Sequence, residues 1–377
     1  MMLAQPPVWL ILIAFICAIG PLVFIHELGH YLVARAFGVG AEVFSIGFGR
    51  EIFGWNDKRG TRWKVGWLPL GGYVRFVGDA DAASTGRSDA PAPVGVAGRG
   101  FQTSPVGLRF LIVLAGPMAN FLMAILIFAA FFAAFGMPRT PNVIDSVMPH
   151  GAAAAAGLRP GDRIVGLAGR TTDTFEDISR ITVMRPAELV EIRVERAGRP
   201  LTVKARLGVE EEVDRFGQRY RIGRLGIITT SLRYERVGVV ELLPAATSFT
   251  LSMTRAMIDG LWQIVTGRRS VADLSGPLKM AQVAGQQASL GLFQFIQLLA
   301  LFSINLGFIN LLPIPMLDGG HLALYSLEAA WRRPVGERAQ EWAFRGGLAA
   351  LLALLVYTTL NDLSSFGLWE RLGRLIG

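Results

Sequence analysis

Residues 8–25 form one uninterrupted apolar run without a charge, and comparable runs follow at residues 110–135, 292–312 and 346–360. As a helix the first run reaches about 27 Å, close to the hydrocarbon thickness of a bilayer. The second run is bracketed by Arg109 and Arg139 and the fourth by Arg345 and Asp362. Such runs can bury their backbone polar groups in lipid only as helices, so four transmembrane helices are expected. The composition agrees. With 52% hydrophobic and 18% charged residues among 377, and a mean hydropathy of +0.43, the chain is far more apolar than a soluble fold requires. The net charge of +8 does not indicate nucleic acid, because the Arg residues are scattered and form no basic cluster interleaved with aromatics. Cys17 is the single cysteine, which excludes an intrachain disulfide framework and a cysteine-based metal site. The first run has no basic segment before it and no small-residue cleavage site after it, so it is expected to be a retained span rather than a signal peptide.

Charge then orients the spans. Arg35, Arg50, Arg99 and Arg109 flank the connection between the first two, and Arg332, Arg333, Arg338 and Arg345 fill the connection between the last two. Cytosolic loops collect Lys and Arg, so both termini are expected outside and these loops in the cytosol. The long section between spans two and three is expected to be extracytoplasmic. In the first loop, residues 42–48 alternate and residues 61–77 are rich in Trp, Val, Tyr and Phe, with a turn candidate at 56–60. That pattern predicts a membrane-associated β-hairpin or small sheet, followed by a flexible connector over residues 79–100. Beyond span two, strands are expected at 143–147, 163–167, 188–195 and 200–205 and helices before Gly157 and over 175–184, a small α+β domain suited to peptide capture. Residues 239–266 are apolar but carry Glu241, Arg255 and Asp259, which predicts a helix lying on the membrane surface.

The chemistry concentrates at the end of the first run, in His26-Glu27-Leu28-Gly29-His30. Residues four apart share a helix face, so both imidazoles can bind one zinc ion while Glu27 stands ready to take a proton from water. His and Glu beside an apolar span are costly unless they bind something. A catalytic zinc takes three protein ligands and leaves one position open. The best third ligand is Asp318, just past the third run, because spans one and three run in the same direction and end at the same membrane face. His321 is a rival ligand three residues on, and Asp318 could instead cap a helix starting near His321. His150 lies in the opposite compartment and has no assigned role.

Several segments together resemble one family. They are the HELGH motif at residues 26–30, Pro69-Leu70-Gly71-Gly72-Tyr73-Val74-Arg75-Phe76, Ala115-Gly116-Pro117-Met118-Ala119-Asn120-Phe121, Leu274-Ser275-Gly276-Pro277, and Asn310-Leu311-Leu312-Pro313-Ile314-Pro315-Met316-Leu317-Asp318-Gly319-Gly320. The chain resembles the site-2 intramembrane zinc proteases, and within them the bacterial regulator-of-sigma-E protease group. The resemblance implies that His26, His30 and Asp318 hold Zn2+, that Glu27 is the catalytic base and that Asn310 helps to bind substrate. It also implies that the hairpin lays an edge strand beside an unwound substrate, and that the α+β domain is a PDZ domain with an unknown ligand. Its best-known members carry two tandem PDZ domains, whereas only about residues 143–207 read as one here.

The expected architecture is therefore a polytopic α-helical membrane protein with a cytosolic hairpin and an extracytoplasmic α+β PDZ domain. Its parts are transmembrane helix 1 with the zinc motif (1–37), hairpin loop and linker (38–107), transmembrane helix 2 (108–136) and PDZ domain (137–207). A linker with an amphipathic surface helix (208–290), transmembrane helix 3 with the Leu317-Asp318-Gly319 motif (291–320) and a last cytosolic loop with helix 4 and tail (321–377) complete it. The expected setting is the bacterial inner membrane, with single-pass membrane proteins as substrates, for example anti-sigma factors or remnant signal peptides. A non-catalytic scaffold would not need Glu27, and a transporter would be expected to show more than four spans or an inverted repeat.

Overall fold

The computed structural model describes residues 6–79, 96–213, 219–229, 233–267, 270 and 274–365. In chain order its elements are α1 (Val8–Ala36), β1 (Ala41–Asn56), β2 (Arg62–Phe76), α2 (Val106–Phe135), β3 (Met137–Arg139), β4 (Ser146–Val147), α3 (Ala152–Ala155), β5 (Arg163–Leu167), β6 (Arg170–Thr171) and α4 (Phe175–Val183). There follow β7 (Leu189–Arg196), β8 (Arg199–Arg206), β9 (Gly208–Val213), β10 (Arg219–Arg224), β11 (Ile227–Ile228), β12 (Arg233–Glu235), α5 (Leu242–Val265), α6 (Pro277–Leu290), α7 (Leu292–Leu311), α8 (Asp318–Trp331) and α9 (Glu337–Ser365). They form two compact units, one of Met1–Ala129, Ala246–Asp259 and Val271–Gly377, the other of Ala130–Ala245 and Gly260–Ser270.

Among the described residues, four helices are long and apolar enough to cross a membrane: Val8–Ala36, Val106–Phe135, Leu292–Leu311 and Arg338–Ser364. These are the four expected runs, with the first, second and fourth extended. α1 continues past Ile25 through the whole zinc motif and stops only at Phe37 and Gly38, whose φ of 76° breaks the helix. α7 ends where Pro313 forces Leu312 out of the helical region, to ψ 139°. The chain then turns through Pro315 and Met316 and restarts as α8 at Asp318.

The loop between α1 and α2 folds as the expected hairpin, and its register is layered. Val43–Ile46 face Arg75–Gly72 on one side and Arg62–Val65 on the other, and Arg62–Val65 face Asn56–Phe53 in turn. The segment Gly72–Phe76 is thus an outer strand of this sheet. Tyr31, Phe44 and Trp63 fix the sheet to α1, with ring centroids 4.2–5.6 Å apart. Asp57 at the turn accepts hydrogen bonds from the Tyr31 hydroxyl (2.8 Å), Trp63 Nε1 (3.3 Å) and the Thr61 amide (2.9 Å). Most of the connector expected over residues 79–100 lies outside the described residues.

The stretch before α7, expected as linker, contains a further helix. Pro277 opens α6 at a position where a missing N–H costs nothing. The fully buried carboxylate of Asp362, on α9, accepts from the Gly276 and Lys279 amides at 3.1 and 2.9 Å, satisfying two donors of the α6 first turn.

The second unit is α+β. Its sheet runs β6-β5-β7-β8 with every pair antiparallel. Val190, Ile192 and Val194 alternate inward along β7 and pack with Ile164, Leu167, Ile178 and Ile144. A Thr174–Asp177 capping box starts α4. The fold continues past Leu207, because β9 and β10 pair, β11 pairs with β4, and Leu225 belongs to the same core. Residues 239–266, expected as one surface helix, form a short 3-10 turn over Val239–Glu241 followed by α5.

Asp162 ties this unit together. Its buried carboxylate accepts from Arg196 Nε and Nη2 at 2.7 and 2.8 Å and from the Arg159 amide at 2.8 Å. The Arg196 guanidinium holds the Asp162 carboxyl below the usual carboxylate range. A carboxyl whose folded pKa is depressed contributes stability that is present above its unfolded pKa, about 3.9, and is lost as pH falls through the folded value. Amide exchange of residues 163–167 and 189–196, corrected for the pH dependence of exchange chemistry, should therefore accelerate as pH drops below about 4. Asp162→Ala should lower the opening free energy by about 2 kcal/mol at neutral pH and flatten that pH response.

Candidate metal centre

The break between α7 and α8 returns the chain to α1. Gly319 and Gly320 permit it: a Cβ on either would strike the Leu311 and Leu312 carbonyl region or the Ile314–Pro315 backbone. Met316 sits in the left-handed region at φ 83°, a strained conformation that clusters at functional sites and costs about 1–3 kcal/mol. Arg109 on α2 anchors the far side of α8 by bonding Glu328 at 2.8 Å and covering the Tyr325 ring at 4.8 Å. Asp318 becomes the first residue of α8, and the cap position belongs to Leu317, without a side-chain cap bond.

The Asp318 carboxylate instead faces the two imidazoles. Asp318 Oδ2 lies 3.0 Å from His26 Nε2 and 3.5 Å from His30 Nε2, and the two Nε2 atoms are 3.3 Å apart. Both histidines are buried, and Oδ2 is buried without a well-aligned hydrogen-bond donor. Three potential ligand atoms converging in an apolar setting suit a bound cation. Ligands at about 2.0–2.1 Å from a tetrahedral zinc stand about 3.3 Å from one another, and the three observed separations bracket that value, so the residues fit zinc. Among the described residues these three form the one such group of potential ligands. His321, the rival ligand, packs its ring against Phe344 and Tyr325 at 4.9 and 6.2 Å.

Glu27 and Asn310 complete the setting. Both line a cavity of about 490 Å³ shared with His26, His30 and Asp318 and with the outer strand residues Gly72–Val74. The Val74 amide donates to the Glu27 carboxylate. Asn310, near the end of α7, holds its amide nitrogen 3.5 Å from His26 Nε2. A Cβ on Gly72 would touch Val23 and the Glu27 side chain, so the glycine lets the strand lie directly against the motif helix.

Sequence reasoning missed the contribution of α2. His30 Nδ1 donates to the Ile112 carbonyl at 2.8 Å, and the Asn120 amide lies 3.1 Å from His26 Nδ1. Gly116 lies between them along the helix, where any Cβ would overlap the His30 ring. Ile112, Gly116 and Asn120 are spaced four apart and so share one face. The available signal was a buried amide and a Gly-Pro pair inside an apolar span.

With this geometry in place, comparison with known proteins is informative. The model of Peptidase family M50 matches residues 14–354. Two proteins named "Putative zinc metalloprotease", from Agrobacterium fabrum and Rhizobium meliloti, are 42% and 41% identical, over 94% and 91% of this chain and 96% and 93% of theirs. Metalloprotease MmpA of Caulobacter vibrioides is 36% identical over 97% of this chain and 98% of its own length. The chain belongs to peptidase family M50, the site-2 type of zinc metalloprotease whose motifs it carries. Among solved structures, PDZ domains of SdrC-like proteins from Listeria monocytogenes and Listeria innocua cover 24% and 25% of this chain and 87% and 99% of theirs, at 18% and 17% identity and TM-scores of 0.19 and 0.20.

The packing of α2 on the motif helix has a direct consequence. Gly116→Ala should displace the His30 imidazole and weaken metal binding at least tenfold. Metal content after dialysis against a weak chelator, measured by mass spectrometry alongside the thermal midpoint, reads the effect.

Proposed function

We propose that this protein is an intramembrane zinc metalloendopeptidase that hydrolyses peptide bonds in or near the transmembrane segment of single-pass membrane proteins, as in regulated intramembrane proteolysis. The observation that carries the reading is the convergence of His26 Nε2, His30 Nε2 and Asp318 Oδ2 to within 3.5 Å of one another, beside Glu27, in a chain with four candidate spans among its described residues. His26, His30 and Asp318 hold the ion, which when bound supplies Lewis-acid activation of water and of the scissile carbonyl at neutral pH.

Glu27 takes the proton released by the attacking water and passes it to the leaving amide nitrogen, so that no net charge is left in the apolar cavity. The Asn310 amide donates a hydrogen bond to the substrate carbonyl, holding it near the ligands. A transmembrane helix must unwind before its amides can be attacked, and its freed backbone groups then need partners. The outer strand over Gly72–Val74 offers them by β-addition along the wall of the cavity. A substrate strand entering there meets Glu27 and Asn310 on the same side.

The charge pattern supports an orientation with both termini and the α+β unit extracytoplasmic and the site toward the cytosol, and the bacterial relatives suit an inner-membrane setting. The α+β unit serves as a single PDZ domain that admits or presents substrates, and anti-sigma factors and remnant signal peptides are the substrate types that suit the family. Substituted cysteines at Asp173 and Asn56 should then be labelled by an impermeant maleimide from opposite sides in oriented vesicles; labelling from one side overturns the orientation.

The chemistry is tested with detergent-purified enzyme and a tagged single-pass substrate. Glu27→Gln should lower cleavage by about 10²–10⁴-fold while keeping a stoichiometric metal ion. His26→Ala should lose both metal and cleavage. Undiminished cleavage by the Gln variant would remove Glu27 from the mechanism.

A further inference from the structure

Asn120 is a buried polar residue of the membrane unit that this mechanism leaves without a task. It lies inside α2 with no exposed surface, among Met118, Phe121 and Leu122, where an amide is costly unless bonded. Two neighbours hold it. Its backbone carbonyl accepts from the Ser303 hydroxyl of α7 at 2.8 Å, and its side-chain amide meets His26 Nδ1 at 3.1 Å. It therefore joins the two spans that carry or lead to the metal ligands.

The chemistry of the imidazole decides which end of the amide faces it. His26 turns Nε2 toward Asp318 and His30, so Nε2 must keep its lone pair to act as a ligand. A neutral imidazole then carries its one proton on Nδ1, which becomes a donor. An NH2 group at 3.1 Å would set donor against donor, whereas the side-chain oxygen in the same place accepts the proton. The two orientations of an amide occupy the same volume, and only the bonding network separates them. His30 shows the same arrangement independently, since its Nδ1 has the Ile112 carbonyl of the same helix as acceptor.

We propose that Asn120 is a positioning residue for the metal site: its side-chain oxygen accepts from His26 Nδ1–H and fixes the tautomer that presents Nε2 to the zinc ion. α2 thereby supplies one acceptor to each imidazole, a side chain to His26 and a main-chain carbonyl to His30, one turn to either side of Gly116. The inference rests on the assignment of His26, His30 and Asp318 as zinc ligands.

The test uses the full chain, purified, stripped of metal and titrated with zinc against a competing chelator, as wild type, Asn120→Leu and Asn120→Asp. Asn120→Leu should weaken zinc binding about 10–100-fold, the usual effect of losing an acceptor behind a ligating histidine, with the metal-free thermal midpoint little changed. Asn120→Asp keeps the shape and presents only acceptor oxygens, so it should bind zinc within about threefold of wild type or more tightly. Wild-type affinity in the Leu variant, or equal losses in both variants, overturns the proposal. A measurement without any variant guards against misfolding: imidazole 15N shifts of His26 in the zinc-bound wild type should show the metal on Nε2 and the proton on Nδ1. Zinc on Nδ1, or an Nδ1 without a proton, overturns the proposal. Failure of the wild type to bind zinc at all would instead remove the ligand assignment.

Discussion

Everything at this site depends on bringing one carboxylate back to two imidazoles inside an apolar helical bundle. The imidazoles come from successive turns of α1, and helix periodicity alone puts them on one face. The carboxylate belongs to a different helix, and its arrival requires a break in the chain at a defined place. Pro313 ends α7, Met316 takes a strained turn, and the Gly319–Gly320 pair lets α8 start against the end of α7. Without the break, a continuous helix would carry Asp318 away from His26 rather than to within 3.0 Å of Nε2.

The rest of the membrane unit reads as support for that convergence. Arg109 fixes α8 through Glu328 and the Tyr325 ring, well outside the site. α2 presses Gly116 against His30 and gives a hydrogen-bonding group to each imidazole. Asp362 on α9 closes the first turn of α6, which packs along α1 through Gly285 and Ile11. Several polar groups buried in this unit are therefore paired across helices distant in sequence. In lipid that pattern is an obligation, since an unpaired polar group there has no water to turn to.

Much of this was legible in the sequence, for physical reasons that differ from part to part. The four apolar runs were visible because a bilayer demands a length of uncharged chain, and the helix starts and ends moved only where capping and proline effects intervene. His26, Glu27, His30 and Asp318 were visible because metal chemistry demands particular residue types at particular spacings, and the structure brings all four to one cavity. α6 was not legible, because Gln282, Gln286 and Gln287 interrupt its apolar pattern and its partner Asp362 lies 86 residues downstream. The hairpin of β9 and β10 was hidden by its charge, reading as linker until β11 and Leu225 tie it to the core. Asn120 stood in a recognised segment, yet its task depends on which nitrogen of His26 faces the ligand triangle, and that is a matter of tertiary geometry.

The outer strand gives the site its direction. Its residues Gly72–Phe76 face Ile46–Ala41 on one side, and toward the cavity the Val74 amide meets Glu27. The carboxylate proposed as base thus lies against the strand proposed to receive the substrate, and its surroundings are set by the strand as well as by the helix. A substrate segment laid along Gly72–Val74 lies parallel to a line of fixed backbone groups, and its register relative to Glu27 and the three ligands is then set in steps of one β-pair. Hydrogen bonds to the main chain supply that alignment whatever the substrate side chains are. Under the proposed function, selection among substrates then rests on how readily a helix unwinds and on what reaches the cavity, more than on side-chain pockets beside the scissile bond.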